Sequence, residues 1–170
     1  HSDPAGDWPA AVLALDADLV LVGPNGERTV KAENFFVHLL TTDLQPGEIL
    51  REIRIRKPSG KFGHAYQKVP HPASGFAVVG VAVNLALNDD GSCKSAGIGI
   101  TGVGVKAYRA KAVEAALAGS NLDDNTIAGA VTHVCDGIDP TGDLYASSDY
   151  RRHLAQVHTR RALQTAKAHQ

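Results

Sequence analysis

Methionine is missing from the whole sequence, including position 1, where the chain begins His1-Ser2-Asp3-Pro4. A complete translation product starts with Met, so the expectation is a piece of something longer. There are two cysteines, Cys93 and Cys135, too few for a disulfide framework in a chain of 170 residues, which favours a reducing compartment. Neither sign of charge dominates. The 17 Lys plus Arg stand against 18 Asp plus Glu, which excludes bulk attraction to nucleic acid or an anionic membrane as the main activity. No apolar run approaches the ~20 residues needed to cross a bilayer, and no positively charged leader precedes an apolar stretch. The chain reads as a soluble, cytoplasmic protein.

What is present suffices for one sizeable core or two small ones: 44% of the residues are hydrophobic and 21% charged. Asp7 to Leu15 reads as a short helix with Asp7 as N-cap and Pro9 in the first turn. Asp18–Val22 and Arg28–Val30, joined by Gly23-Pro24-Asn25-Gly26, read as a hairpin. Glu33 to Phe36 looks like one helical turn. From Glu48 to Arg56 the alternation places Ile49, Arg51, Ile53 and Ile55 on one side and Leu50, Glu52, Arg54 and Arg56 on the other, a strand with an inner apolar face. Lys57-Pro58-Ser59-Gly60-Lys61 interrupts both periodicities and divides the chain into 1–57 and 62–170.

Beyond that boundary three strands are expected, Gly63 to Val69, Phe76 to Leu87 and Cys93 to Val103, the last two joined by Asn88-Asp89-Asp90-Gly91. Helices follow over Arg109 to Leu117, closed by Gly119, over Asp123 to Asp136, with Asp123 as cap, and from Ser147 to about Ala168. Strands first and helices afterwards argue for an α+β fold.

Few signals carry chemistry. Gly97-Ile98-Gly99-Ile100-Thr101-Gly102 has the dinucleotide-binding spacing, but helical spacing resumes only after Tyr108, so its glycines are read as letting a helix pack close onto the sheet. His64 and His71 are separated by a proline-broken stretch, and His133 and Cys135 diverge on a helix, so no metal constellation emerges. Cys135 has no acid–base partner nearby in sequence and reads as a packed thiol. The last helix carries Arg151, Arg152, Arg160, Arg161 and Lys167 around Tyr150, Leu154 and Val157. This pattern is either a solvated face over a packed stripe or a partner-docking face. The residues alone stop at a two-part α+β protein without a catalytic side-chain pair.

Several ordered segments carry a resemblance: His1-Ser2-Asp3-Pro4-Ala5-Gly6-Asp7-Trp8-Pro9-Ala10, Asn34-Phe35-Phe36, Pro46-Gly47-Glu48-Ile49-Leu50-Arg51-Glu52-Ile53 and Ala65-Tyr66-Gln67-Lys68. Others are Ala77 to Val83, Arg109-Ala110-Lys111-Ala112-Val113-Glu114 with Leu117 and Gly119, and Asp143 followed by Ala146 to Arg152. In this order they resemble the flavoprotein (medium) subunit of the carbon monoxide dehydrogenase and xanthine dehydrogenase group of molybdenum hydroxylases. The resemblance implies the C-terminal half of a vanillyl-alcohol-oxidase-type FAD-binding domain over 1–57. After it, over 62–170, come a three-stranded antiparallel sheet and three helices, similar to the carbon monoxide dehydrogenase flavoprotein C-terminal domain. It further implies a large molybdenum-cofactor subunit and a small subunit with two 2Fe-2S iron–sulfur clusters as partners, assembled as a dimer of heterotrimers. Electrons would pass from them to FAD and on to an external acceptor, in the cytoplasm or peripherally at the inner face of the membrane.

Carried over by position, the resemblance puts Asp7 near the ribityl and ribose hydroxyls of FAD, Leu50 against the cofactor, Lys68 near the flavin and Phe76 on one face of the isoalloxazine. Each has a plainer reading: N-cap for Asp7, strand burial for Leu50, a surface lysine for Lys68 and core packing for Phe76. Where the family has a basic pair followed by an acid before the ring-facing residue, this chain has Pro70-His71-Pro72-Ala73-Ser74-Gly75, which removes charge from the flavin pocket. The family's two glycine-rich pyrophosphate loops lie upstream of His1, so the chain alone is expected to bind FAD weakly or not at all. A non-flavin assembly module that docks partner subunits is the other reading.

Overall fold

The computed structural model describes residues 2–168. The chain starts with a helix, α1 (Asp7–Ala14), whose N-cap position is Gly6 with no side-chain cap. Asp7 therefore does not cap the helix. It sits in the first turn, where its carboxylate complements the helix dipole and is left available to other partners. Strands β1 (Asp18–Gly23) and β2 (Gly26–Lys31) form the expected hairpin, with Gly23 paired to Gly26 across Pro24-Asn25. A helical turn, α2 (Ala32–Phe35), and a small ladder of β3 (Phe36–His38) and β4 (Thr41–Thr42) follow. Strand β5 (Ile49–Arg54) then pairs with β1, giving the order β2-β1-β5.

β5 departs from the expected alternation. All six of its residues are exposed, and the register slips between Val20 and Leu21, so that Leu21 faces Leu50 while Leu19 faces Ile53. The extra residue is Arg51. A bulge of this kind re-aims side chains, and it brings Leu50 and Ile53 onto the face of Leu19 and Leu21 instead of leaving them on opposite sides.

The second sheet is antiparallel, in the order β6-β7-β8-β9: β6 (Lys61–Pro70), β7 (Ala77–Leu87), β8 (Cys93–Thr101) and β9 (Tyr108–Arg109). It has four strands, where three were expected. β8 ends at Thr101 instead of running on to Val103, and the chain returns for a two-residue strand too short to show an alternation in sequence. Three helices follow, α3 (Lys111–Leu117), α4 (Asp124–Ala130) and α5 (Ser148–Ala168). The Asp123 carboxylate caps α4 by accepting from the N–H groups of Asn125 and Thr126. α4 is shorter than expected and passes into a 3-10 turn over Val131–His133.

The two faces of this sheet differ. Val79, Val81, Val83, Leu85, Ile98 and Ile100 point into the main core with Val113, Leu117, Ile127 and Leu163 of the three helices. Burying each such side chain contributes about 1.5–3 kcal/mol. The opposite face carries Gly80, Ala82, Gly97 and Gly99, and α1 lies on it through Ala10 and Ala14. A Cβ on Gly97 would overlap the Ala14 carbonyl, and one on Gly99 the Ala10 carbonyl. The glycine spacing is thus a helix-to-sheet contact. Through Val12 and Leu13 the same helix packs on Leu19, Leu21, Phe35 and Phe36, so α1 is the wedge between both sheets.

α5 corrects the charge pattern. Arg151 is buried, 8% exposed, with Nη1 donating to the carbonyls of Val78 and Gly102 at 2.6 Å and Nη2 paired with Asp143 at 2.5 Å. Tyr150, expected in the packed stripe, is exposed. Leu154 is buried as expected, and the buried face runs on through Ala155, His158, Ala162, Leu163 and Ala166.

Candidate functional site

The N-terminus of α1 is pinned where β7 begins and β8 ends. The Ala77 N–H donates to Ala5 O, the Gly102 N–H donates to Pro4 O at 2.7 Å, and the Thr101 hydroxyl lies 2.7 and 2.9 Å from the carbonyls of Pro4 and Gly6. With the helix seated on the glycine face, Asp7 reaches β6, whose alternate residues Tyr66 and Lys68 point to the same side. Lys68 Nζ lies 2.7 Å from Asp7 Oδ2, and the Tyr66 hydroxyl donates to Asp7 Oδ1 at 2.5 Å. Burial, followed by this hydrogen bond to a carboxylate, pushes the Tyr66 phenol well above its ordinary pKa, so it stays a donor at any working pH.

Asp7 and Lys68, with Tyr66 outside the lining, border an open groove of about 470 Å³, within the ~300–1,000 Å³ typical of small-molecule sites. Asp3, Asp7 and Lys68 supply its charge. Trp8 stands on one side, 77% exposed, and Phe76 on the other, 49% exposed. Phe76 is held by the turn before β7: the His71 N–H donates to Phe76 O at 2.7 Å, the Gly75 N–H donates to His71 O at 2.8 Å, and the His71 ring packs on Tyr145 with centroids 4.5 Å apart. Core packing therefore does not account for Phe76, nor a free surface position for Lys68.

Leu50 lies elsewhere. It lines an adjoining apolar groove of about 240 Å³ with Ile53, Leu19, Phe35 and Phe36, and the two grooves meet at Trp8 and Pro9. At 36% exposure Leu50 is not a buried strand residue. Asp7, Lys68 and Phe76 thus share one groove, and Leu50 stands on the far side of Trp8.

Two residues of this site were not singled out in the sequence. Tyr66 stands two positions before Lys68 on β6, a spacing that puts both on one face of a strand. Trp8 follows Asp7 directly, and its exposure is visible only once α1 is placed. The groove offers two aromatic rings, the carboxylates of Asp3 and Asp7, one ammonium and the Ser74 hydroxyl. Both cysteines are buried, and burial pushes both thiols up in pKa. No group of three or more His, Cys, Asp or Glu able to hold a metal occurs among the described residues. No described helix is long and apolar enough to cross a membrane.

Residues 64–166 match the family model of the CO dehydrogenase flavoprotein C-terminal domain. The chain belongs to this family. Residues 1–58 match the model of the FAD-binding domain in molybdopterin dehydrogenase, which identifies the cofactor of this domain as FAD. Among curated relatives, the medium chain of carbon monoxide dehydrogenase from Afipia carboxidovorans is 34% identical over 99% of this chain and 58% of its own length. The glyceraldehyde dehydrogenase medium chain from Sulfolobus acidocaldarius is 33% identical over 95% and 57%. The chain thus spans somewhat over half the length of these relatives. The solved carbon monoxide dehydrogenase from Hydrogenophaga pseudoflava, in a form lacking the Mo-pyranopterin moiety, superposes with a TM-score of 0.93 at 35% identity, over 99% of this chain and 58% of that one.

Proposed function

We propose that this chain works as part of the FAD-binding medium subunit of a molybdenum hydroxylase of the carbon monoxide dehydrogenase kind. In this reading residues 1–57 are the second part of a vanillyl-alcohol-oxidase-type FAD-binding domain and 62–170 the C-terminal domain. A large molybdenum subunit and a small iron–sulfur subunit supply electrons in a dimer of heterotrimers, in the cytoplasm or at the inner face of the membrane, and an external acceptor removes them. The substrate is set on the molybdenum subunit and is not encoded in these residues.

The observation that carries this reading is the groove in which Asp7, Lys68, Trp8 and Phe76 converge. Its donor set suits a flavin. Two exposed aromatic rings, Trp8 and Phe76, present faces for a tricyclic ring and keep water from it. Asp7 has four acceptor positions and spends two on Tyr66 and Lys68, so hydroxyl groups of a sugar chain find acceptors at a carboxylate 46% exposed. The Lys68 ammonium holds positive charge beside a ring that gains electrons. Leu50 extends the apolar wall beyond Trp8. Bound FAD supplies the redox chemistry, and the side chains supply orientation and charge.

The test is flavin content of this chain carried in a full-length medium-chain context. One FAD per chain is expected, with weakened retention in Asp7→Ala and Phe76→Ala. A folded protein with no visible flavin absorbance would end the electron-transfer reading and leave a role in docking partner subunits.

A further inference from the structure

Asp7 is an unusual anchor for a ligand, because it stands on the first turn of an eight-residue helix with its own side chain about half exposed. A carboxylate in that place samples several rotamers unless something holds it, and each rotamer aims its acceptor oxygens differently. Two groups hold it here. Lys68 takes Oδ2, but an ammonium on a flexible four-carbon stem follows its partner as readily as it fixes it. Tyr66 takes Oδ1 with a rigid ring whose hydroxyl has a prepared seat.

That seat is Gly80, the cross-strand partner of Lys68 on β7. A Cβ at Gly80 would stand 2.5 Å from the Tyr66 hydroxyl and 2.7 Å from the Thr101 methyl group. The missing side chain lets the phenol lie flat over the sheet and reach α1. Resting on the flavin reading above, we infer that Tyr66 is a positioning residue for the hydroxylated part of FAD: lodged over Gly80, it fixes the Asp7 carboxylate so that its remaining acceptor positions stay open to the groove for a ribityl or ribose hydroxyl. Tyr66 does not itself touch the ring in this assignment. It acts through Asp7, and its phenol stays protonated because burial and the neighbouring carboxylate both disfavour the phenolate.

The experiment measures dissociation constants for FAD, and for FAD analogues each lacking one ribityl or ribose hydroxyl, in the full-length subunit stripped of flavin. The parent protein should lose about tenfold in affinity for at least one analogue, the size of one hydrogen bond to a charged group. Tyr66→Phe should lose about the same factor for FAD itself and nothing further for that analogue. Asp7→Asn, on an exposed helix end, should reproduce this pattern, and combining it with Tyr66→Phe should add little.

A Tyr66 that merely stabilises the fold would weaken FAD and every analogue equally and lower the unfolding temperature. That outcome overturns the inference, as does a parent protein that binds all analogues like FAD, and in both cases the flavin reading stands. A parent protein that binds neither FAD nor any analogue overturns the functional reading and this inference together.

Discussion

On one face of the four-stranded sheet Val79, Val81, Val83, Leu85, Ile98 and Ile100 fill the core beneath the C-terminal helices. On the other, Ala82, Gly97 and Gly99 leave the sheet bare so that α1 can lie on it, and Gly80 leaves room for Tyr66. The first face contributes stability through buried apolar area. The second contributes little area and instead sets how close one helix comes. That distance decides whether Asp7 meets Tyr66 and Lys68, so the candidate site depends on residues defined by what they lack.

The comparison breaks most visibly by substitution on either face. Ile98→Ala should cost about 3–4 kcal/mol, the transfer energy of the lost atoms plus that of the cavity left behind. Its folded fraction should keep flavin affinity, since the groove lies on the other side. Gly99→Ala should cost about 2–3 kcal/mol, because its Cβ meets the Ala10 carbonyl and the helix must lift. Here flavin binding should fall together with stability. Denaturant titration paired with flavin titration separates the two, and a Gly99→Ala protein with undiminished flavin affinity would show that the seating of α1 does not build the site.

Trp8→Ala removes an exposed ring and should change stability by no more than about 0.5 kcal/mol while weakening flavin binding. The smallest effect concerns neither face. Arg28 joins β2 to the segment before β5 through Asp43 at 2.6 Å and Glu48 at 2.7 Å. Its hydrogen bond, aided by the Gln45 N–H, pushes the Glu48 carboxyl down to about 2. Because this value lies below the ~4.3 of an unfolded chain, the stabilisation is complete above that pH and is lost as pH falls toward 2. Urea midpoints should therefore drop over this window in the parent protein and drop less in Glu48→Gln. Identical slopes would remove Glu48 from the account.

Much of this architecture was legible because it rests on local chemistry. The hairpin turn at Pro24-Asn25, the Asp123 cap and the close-packing glycines each follow from one residue type at one position. What escaped depends on the rest of the molecule. The bulge at Arg51 moves Leu50 to the face of Ile53, and no alternation reveals a slip made to suit β1. Arg151 looks like a solvated charge until the free carbonyls of Val78 and Gly102 are placed beside it. Asp7 looks like a cap because its alternative partners, Tyr66 and Lys68, stand about sixty residues away. At the site, the family resemblance directed attention to Asp7, Lys68 and Phe76, which the fold brings to one groove. Tyr66 and Trp8 were present in the same segments but gained a role only from geometry.

Trp8 is the sole tryptophan of the chain and stands on the rim of the groove, so its fluorescence reports on the site without any label. Titrating FAD into the flavin-stripped full-length subunit, with tryptophans outside this chain replaced, should quench Trp8 emission in step with binding. It should do so far less in Asp7→Ala, where binding itself weakens. Flavin that binds at full stoichiometry while the Trp8 emission stays unchanged would place the cofactor away from this groove and contradict the account.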